Sequence, residues 1–277
     1  MSTPSARRVE SPARFYEDYL VPSLFRPFAE ELIERAAPQP GERVLDVACG
    51  TGIVARLAAR RMGAGARIVG LDLSPAMLEV ASEVVAGEDA QFEWVAGDAQ
   101  ALPFPDESFD LVLCQQGLQP LPDRVAALRE MRRVLAPGGR LLTSTWTAIE
   151  HHPVDKMMAE SVERHLGAPA FHAPFSLGDH DLLRELFREA GFGEVELEVV
   201  VRELRFPSAD EYVERIVIGG IAAIPGFQNL DVETGERLIA AICADIAPTV
   251  AQYTVDGALV MPWASTTIAS ARKEGPA

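Results

Sequence analysis

The sequence predicts a doubly wound α/β fold, in which helices cover both faces of a mostly parallel sheet. Apolar strand-like segments alternate with amphipathic helical segments over the first 145 residues of the 277-residue chain. A glycine-rich turn follows the first strand, and glycine or proline ends several of the helices. Such alternation is typical of a parallel sheet whose strands are connected by helices. A chain of this length can form one large α/β domain.

Eight elements are predicted in the first half. The strands are expected at 43–48, 67–72, 91–96, 109–114 and 139–146, and the helices at 53–62, 75–86 and 122–135. In the last of these helices, Leu128, Met131 and Val134 recur at helical spacing. The Pro-Gly-Gly sequence at 137–139 is expected to stop this helix before the next strand.

The second half is less regular, and five further elements are predicted there. They are a helix at 180–190, a strand at 194–205, a helix at 209–218, a helix around 238–246 and a last strand at 263–271. The first helix ends at Gly191, and Ser208 with Glu211 forms a capping box for the second. We expect the third helix to stop at Pro248 and the last strand to begin after Pro262, because proline has no N–H to donate.

Composition and charge exclude several classes of protein. The net charge is −16, the pI is near 4.7, and no basic run is longer than Arg60-Arg61 or Arg132-Arg133. Nucleic-acid binders neutralise phosphates with Lys and Arg, so we expect no nucleic-acid partner. No apolar run reaches about 18 residues and the N-terminus is polar, so we expect neither a membrane span nor a signal peptide.

The cysteines point to a reducing compartment. Cys49, Cys114 and Cys243 show no metal-ligand spacing and have apolar or glycine neighbours. We therefore expect reduced, buried thiols, no metal site and a cytoplasmic protein.

The sequence DVACGTG, residues 46–52, raises the main functional question. Gly50-x-Gly52-x-x-Ala55 matches the fingerprint of dinucleotide-binding proteins, and the helix that follows presents N–H groups to an anion. Asp46, however, would repel a pyrophosphate placed within a few ångströms. The same carboxylate would attract an ammonium or a sulfonium. S-adenosyl-L-methionine (SAM) carries both cations, together with one carboxylate for the helix N-terminus.

Two more acidic residues follow the next two strands. Asp72 ends the second strand, where a carboxylate can accept both ribose hydroxyls, and Asp98 follows the third, where it can accept from an adenine amine. The carboxyl ends of parallel strands form the rim at which open α/β sheets bind ligands. Three acids on this rim therefore favour a nucleoside ligand with a cationic end.

Four ordered motifs then establish a resemblance. VLDVACGTG, GLDLSPAML, GDAQALPFPDESFDLVLC and LREMRRVLAPGGRLL resemble those of class I SAM-dependent methyltransferases, over roughly residues 40–145. The similarity is closest to the small-molecule branch, which includes quinone-biosynthesis and natural-product methyltransferases. It implies a Rossmann-like sheet of seven strands in the order 3-2-1-4-5-7-6, with the last strand antiparallel. It also implies SAM as cofactor and S-adenosyl-L-homocysteine as product.

The resemblance also implies roles for individual residues. The methionine end of SAM would lie against Asp46, Ala48, Gly50 and Gly52. Asp72 would hold the ribose, and the adenine would meet Leu73, Met77, Asp98 and Ala99. Gln115 and Gln116 would face the methionyl portion and the substrate. Ala48 stands where the family usually has glycine, a departure that some members share.

For the organisation of the chain, the expectation is a single methyltransferase domain over 1–277. Its expected parts are a loose tail (1–13), N-terminal lid helices (14–37), a SAM-binding core (40–147) and cap insertions at 148–178 and 207–251. The lid and the cap follow from the resemblance, in which such segments close over SAM and face the substrate.

The acceptor is expected to be a small, partly apolar molecule. Nucleic-acid amino-methyltransferases of this fold carry an N/D-P-P-Y/F motif after the fourth strand, whereas this chain has Cys-Gln-Gln-Gly-Leu at 114–118. A phenol, a quinone-like compound or another natural product would fit. The methylated atom (oxygen, nitrogen, sulfur or carbon) stays open, as does the choice between monomer and homodimer.

All five histidines lie between residues 151 and 180. A general base assists methylation of a hydroxyl or an acidic carbon, and histidine titrates near neutral pH. His151 and His152 follow the fifth strand directly, so they are the candidates for this role. Candidate substrate contacts are Tyr16, Tyr19, Trp146, Phe171 and Phe175.

Two other functions are consistent with parts of the sequence. An NAD(P)-dependent oxidoreductase would use the glycine fingerprint, but Asp46 opposes it. That class also often pairs Tyr with Lys four residues on, whereas Lys156 and Lys273 are the only lysines here. A non-catalytic SAM-binding protein would keep the glycine loop without an acceptor pocket.

Overall fold

The computed structural model describes residues 11–167, 171–218, 227 and 229–275. It contains one sheet of eight strands in the order β3-β2-β1-β4-β5-β8-β6, with β7 paired to β8. The strands are β1 (Val44–Val47), β2 (Arg67–Asp72), β3 (Gln91–Ala96), β4 (Phe109–Gln115), β5 (Leu135–Trp146), β6 (Val195–Phe206), β7 (Thr254–Val255) and β8 (Ala258–Arg272). Without the two-residue β7, this is the predicted order, so the fold class is confirmed and the predicted count of seven strands is one too low.

The helices flank this sheet. They are α1 (Pro12–Phe15), a π-helical segment (Tyr16–Phe25), α2 (Arg26–Ala36), α3 (Ile53–Met62), α4 (Pro75–Val84), α5 (Arg124–Val134), α6 (Pro153–Leu166), α7 (His180–Glu189), α8 (Ala209–Tyr212) with a π-helical continuation (Val213–Ile218), and α9 (Val232–Gln252). Short 3₁₀ turns occupy Ile149–His151 and Ala173–Phe175. Residues 1–10 of the predicted tail lie outside the described residues, and α1 begins at Pro12.

Strand directions agree with the prediction. β1 pairs in parallel with β2 and β4, and β2 with β3. β8 runs antiparallel to β5, because Gly138 at the start of β5 donates to the carbonyl of Lys273 (2.8 Å), whereas Thr147 just after β5 donates to Ser265 (3.2 Å). All four residues of β1 are buried, as expected for a central strand covered on both faces.

Three predicted boundaries were wrong at a proline, and a fourth error is the start of α9, at Val232 rather than near 238. β5 begins at Leu135, before Pro137, because Leu135 pairs with Phe109 of β4 and a register shift follows. β8 begins at Ala258, before Pro262, since its first residues pair with β7 in a hairpin and the exposed Pro262 stands beyond that hairpin. A proline is tolerated in a strand where its missing N–H faces no partner.

The helix α9 continues through Pro248 to Gln252, four residues beyond the predicted stop. An internal proline removes one N–H···O bond and costs about 3 kcal/mol or more. Burial of Ile246 and Val250 on either side of it offsets this cost.

The chain divides into two compact units. Unit 1 comprises residues 1–144, 184–198 and 268–277, and unit 2 comprises 145–183 and 199–267. The core of unit 1 is built from fully buried strand residues such as Leu45, Ile68 and Leu111. In unit 2, α6 packs on α9, which buries Val162 and Ile242.

The three cysteines differ in how deeply they are buried. Cys49 and Cys114 are free and buried as predicted, whereas Cys243 is only half-buried, because it lies on the partly exposed side of α9.

Across the described ranges, no helix combines the length and the apolar character needed to cross a bilayer.

Candidate functional site

The glycine loop connects β1 to α3 and has an unusual backbone. Ala48, Gly50 and Gly52 adopt φ angles of 55°, 54° and 82°, in the left-handed region. Two backbone–backbone hydrogen bonds hold the loop, from the N–H of Gly52 to the carbonyl of Cys49 (2.8 Å) and from the N–H of Cys49 to the carbonyl of Leu71 in β2 (3.0 Å). A left-handed alanine costs about 1 kcal/mol or more, which explains why the resembling family usually has glycine at position 48.

Aromatic rings lie close to Gly50 and Gly52 of the loop and to Gly70 of β2. A methyl group on Gly50 would lie 3.4 Å from Cε1 of Tyr16. A methyl group on Gly52 would lie 2.5 Å from the indole of Trp94, and one on Gly70 would lie 2.3 Å from it. Gly52 and Gly70 are therefore required for close packing against Trp94, and Gly52 is also required for the turn. The sequence analysis missed Trp94, although Gly70 was a usable signal, since a glycine inside a strand often marks a close approach.

Asp46 is the most deeply buried acid of the site. Its side chain is 1% exposed, and Oδ2 accepts the N–H of Ala55 in the first turn of α3 (3.0 Å). Burial raises the pKa of Asp46 to about 8, and the charge of Asp72 adds to this, whereas the hydrogen bond from Ala55 lowers it. Without a cationic ligand, this carboxyl is therefore mostly protonated at neutral pH.

Asp72 links the glycine loop to the end of β2. Its Oδ2 accepts the N–H of Gly50 (2.8 Å), and its Oδ1 accepts the N–H of Ser74 (2.9 Å). A carboxylate has about four acceptor positions, so lone pairs remain for other donors. Asp72 thus has a local structural role in addition to the predicted ligand contact.

The residues predicted for the adenine lie in the turns after β2 and β3. Leu73 is 74% exposed, and Met77 is half-buried in the first turn of α4. Asp98 is exposed, and its carboxylate accepts the N–H of Gln100 (2.8 Å), which holds the pKa of Asp98 below its usual value. Ala99 beside it is buried.

Gln115 and Gln116 end β4. The side-chain amide of Gln115 donates to the carbonyl of Phe25 (2.9 Å), whereas its Oε1 is buried and has no hydrogen-bond partner among the described residues. Gln116 has a φ of 55°, and its Oε1 accepts from Gln119. A buried acceptor without a partner costs about 1–3 kcal/mol, so the Gln115 carbonyl fits an N–H donor on a ligand.

The predicted aromatic residues of the N-terminal segment are packed together in pairs. Tyr16 stacks on Phe25 at 4.8 Å between ring centroids, and Tyr19 stacks on Phe15 at 5.4 Å. Tyr19 is buried and Tyr16 half-buried. Both tyrosines belong to unit 1, as do all the residues predicted to bind SAM.

In unit 2, the structure brings together three of the residues predicted near the acceptor. The ring of His152 lies edge-on to Trp146 (5.7 Å between centroids) and 4.9 Å from Phe175. Phe171 is half-buried beside residues 168–170, which lie outside the described residues. His151 is exposed, although it is the direct neighbour of His152.

A hydroxyl pair holds His152. Its Nε2 lies 3.1 Å from Oγ1 of Thr147, which in turn lies 2.6 Å from Oγ of Ser265. The side chain is only 3% exposed, and this burial lowers the pKa of His152 to about 4. His152 is therefore neutral at physiological pH and already hydrogen-bonded, whereas His151 faces solvent.

The fold and the loop together define a class: a doubly wound α/β protein in which carboxyl groups surround a glycine loop at the ends of the central strands. A family model described as "Methyltransferase domain" matches residues 45–143. The demethylmenaquinone methyltransferase of Geobacillus kaustophilus is 35% identical over 184 residues, which cover 61% of this chain and 78% of that protein. The chain belongs to the class I SAM-dependent methyltransferases.

Two further comparisons agree. The ubiquinone/menaquinone biosynthesis C-methyltransferase of Xanthomonas campestris is 42% identical over 135 residues, which cover 47% of this chain and only 53% of that protein. The crystal structure of a candidate methyltransferase from Bacillus halodurans has a TM-score of 0.59 and 26% identity, and the match covers 89% of this chain and 98% of that one.

The family settles two points left open by the glycine loop. The protein is an enzyme whose cofactor is SAM, and transfer of the methyl group leaves S-adenosyl-L-homocysteine. The relatives give no support to the NAD(P)-dependent oxidoreductase, so that alternative is not retained.

Proposed function

We propose that the enzyme methylates a ring carbon of a small quinol, the reduced form of a quinone. The observation that carries this proposal is the 35% identity over 78% of the Geobacillus kaustophilus demethylmenaquinone methyltransferase. A second relative, from Synechococcus elongatus, is named as a methyltransferase of 2-phytyl-1,4-naphtoquinone and is 38% identical over 125 residues. The net charge of −16 supports a small acceptor over a nucleic acid, and the free thiols support a cytoplasmic location.

The cofactor-binding residues fit SAM group by group. Asp46, Ala48, Gly50 and Gly52 would hold the methionine end, where the unpartnered Oε1 of Gln115 offers an acceptor to its ammonium. Asp72 would hold the ribose through its remaining lone pairs. The exposed Leu73 and the neighbouring Met77 would cover one face of the adenine, and Asp98 with Ala99 would bind its edge.

SAM supplies an electrophilic methyl group on a sulfonium. In the proposed reaction, a hydroxyl of the quinol loses its proton, which makes the adjacent ring carbon nucleophilic. A carbon–carbon bond forms as the sulfur–methyl bond breaks. The ring hydrogen then leaves as a proton while the hydroxyl oxygen regains one, so the net reaction releases one proton. The protein must therefore align the ring, exclude water and accept a proton.

His151 is the residue we propose as proton acceptor. It is exposed and ends the 3₁₀ turn that precedes α6, whereas His152 is buried and its Nε2 is hydrogen-bonded to Thr147. A general base needs a ring nitrogen that can contact the quinol hydroxyl. An exposed imidazole is therefore better suited to this role than a buried one that is hydrogen-bonded within the protein.

The test is a panel of acceptors incubated with SAM whose methyl carbon is ¹³C-labelled. A short-chain 1,4-naphthoquinol, a benzoquinol, a simple phenol, a thiol and an amine would be compared by mass spectrometry, with NMR to locate the label. We expect the label on a ring carbon of the quinols and none on the others. Labelling of only an oxygen, nitrogen or sulfur atom would contradict the quinol proposal.

A further inference from the structure

A buried ion pair joins the N-terminal π-helical segment to α3. Nη1 and Nη2 of Arg56 donate to the two carboxylate oxygens of Glu17, at 2.8 and 3.1 Å. The two side chains are only 7% and 12% exposed. Arg56 stands in the first turn after the glycine loop, where its N–H donates to the carbonyl of Gly52 (2.9 Å). The pair therefore connects the N-terminal π-helical segment directly to α3, the helix that follows the glycine loop.

Stability alone is a poor explanation for this pair. Taking two charges out of water costs several kcal/mol per ion, and well-packed apolar residues are often equally stable. Arg60, one turn later on the same helix, forms an ordinary pair with Glu88 whose side chains are 54% and 25% exposed. What a bidentate pair adds is direction, because it fixes the carboxylate in one orientation. Glu17 is thus held at one position beside the loop.

The residue fixed by this arrangement is Tyr16, the neighbour of Glu17. A methyl group on Gly50 would lie 3.5 Å from the Tyr16 hydroxyl oxygen, and Phe25 stacks on the ring of Tyr16. Burial raises the pKa of Tyr16 above its ordinary value, as do the charges of Asp72 and Asp46. The hydroxyl is therefore a proton donor at neutral pH. Within the described part of the chain, it has no hydrogen-bond acceptor.

We infer that Arg56 and Glu17 are cofactor-positioning residues, which hold the Tyr16 hydroxyl above Gly50 so that it donates to the carboxylate of SAM. This inference rests on the placement of the methionine end proposed above. Of the three charged groups at that end, the ammonium and the sulfonium are cations. Only the carboxylate is a strong acceptor for a hydroxyl donor.

The binding test compares three variants with a matched control, by calorimetric titration with SAM. Tyr16→Phe should weaken binding about tenfold, the loss expected for a hydrogen bond to a charged group. Arg56→Met with Glu17→Met should cause a similar loss while leaving no unpaired buried charge. The triple variant should lose no more than about tenfold, because the pair acts through Tyr16. Arg60→Met, which removes the exposed pair, should stay within about twofold.

Two results would overturn the inference. One is wild-type affinity in the Arg56→Met and Glu17→Met double variant. The other is a triple variant whose loss is the product of the two separate losses, since that would mean that the pair and the tyrosine act independently.

Amide hydrogen exchange without SAM provides a second readout, on the milder Glu17→Gln variant. Residues 16–25 should exchange at least about tenfold faster than in the wild type, whereas β4 should be unchanged. Unchanged exchange over 16–25 would show that the ion pair does not hold the segment and would overturn the inference. A wild-type enzyme that fails to bind SAM would instead contradict the proposed cofactor site. The exchange experiment, which is done without SAM, would still test whether the ion pair holds residues 16–25.

Discussion

The strand ends around the glycine loop and the region after β5 differ in how well the position of a residue in the sequence predicts its surroundings in the fold. Around the glycine loop, Asp46, Asp72 and Gln115 stand at the ends of adjacent strands, so strand order alone brings them together. After β5, His151 and His152 are neighbours in sequence, yet one is exposed and the other is 3% exposed and hydrogen-bonded. The clustering of residues at strand ends can thus be derived from a sequence. A site made from loops and short helices depends on packing that the sequence does not display.

The largest expected effect tests the contrast between the two histidines. With a quinol acceptor at saturation, His151→Ala should lower the rate by about 10²–10⁴-fold, the usual cost of losing a general base. The affinity for SAM should remain within about threefold, because the cofactor loops lie elsewhere in the chain. Steady-state turnover and calorimetry check the two halves of this prediction.

His152 provides the matched control. His152→Gln keeps an amide that can meet Thr147 and should retain the rate within about fivefold, since a buried neutral ring takes no part in proton transfer. A loss of 10²-fold or more in His152→Gln, with a normal rate in His151→Ala, would reverse the assignment of the two residues.

The next effect concerns Asp46 and its pKa of about 8. A carboxyl whose pKa is raised on folding is ionised in the unfolded chain from about pH 4 but stays protonated in the folded protein until about pH 8. The wild type should therefore lose stability as the pH rises between these values. Asp46→Asn, which cannot ionise, should become more stable than the wild type by about 5 kcal/mol at pH 8 compared with pH 4.

Denaturant unfolding at pH 4 and pH 8, without SAM, measures this difference. Asp89→Asn serves as the control, because it makes the same substitution at an exposed carboxyl group. If Asp46→Asn and the wild type lost stability in parallel, the carboxyl of Asp46 would be ionised in the folded protein.

The smallest expected effect is the difference in SAM affinity between variants of Asp72 and of Asp98. Asp72→Ala should weaken SAM binding by about 10- to 150-fold, because a ligand hydroxyl and the N–H of Gly50 both lose their acceptor. Asp98→Ala should cost less than about tenfold, since Asp98 is exposed and bonds mainly to its own turn. Calorimetry ranks the two variants, and equal losses would show that the ribose and the adenine are held equally strongly.

Much of the fold could be predicted because alternating strands and helices leave few possible topologies. Three boundary errors arose at prolines 137, 248 and 262, where a local rule was overridden by long-range partners. Pairing of Leu135 with β4 and burial of Ile246 and Val250 are not visible in a local pattern.

The candidate site shows the same limit. The residues on strand ends were predictable, whereas the aromatic covers of the glycines were not, because they reach the loop from β3 and from the N-terminal segment. Gly70 hinted at Trp94, but nothing in the pattern of α3 distinguished the buried Arg56 from the exposed Arg60. The identity of a buried partner depends on tertiary contacts between segments far apart in the chain.

The central claim is that the strand-end acids around a short glycine turn bind SAM rather than a dinucleotide. Calorimetric titration of the wild type with SAM and, separately, with NADH tests it most directly. We predict a dissociation constant in the micromolar range for SAM and no measurable heat with NADH at the same concentrations. Tight binding of NADH with no heat from SAM would contradict the account.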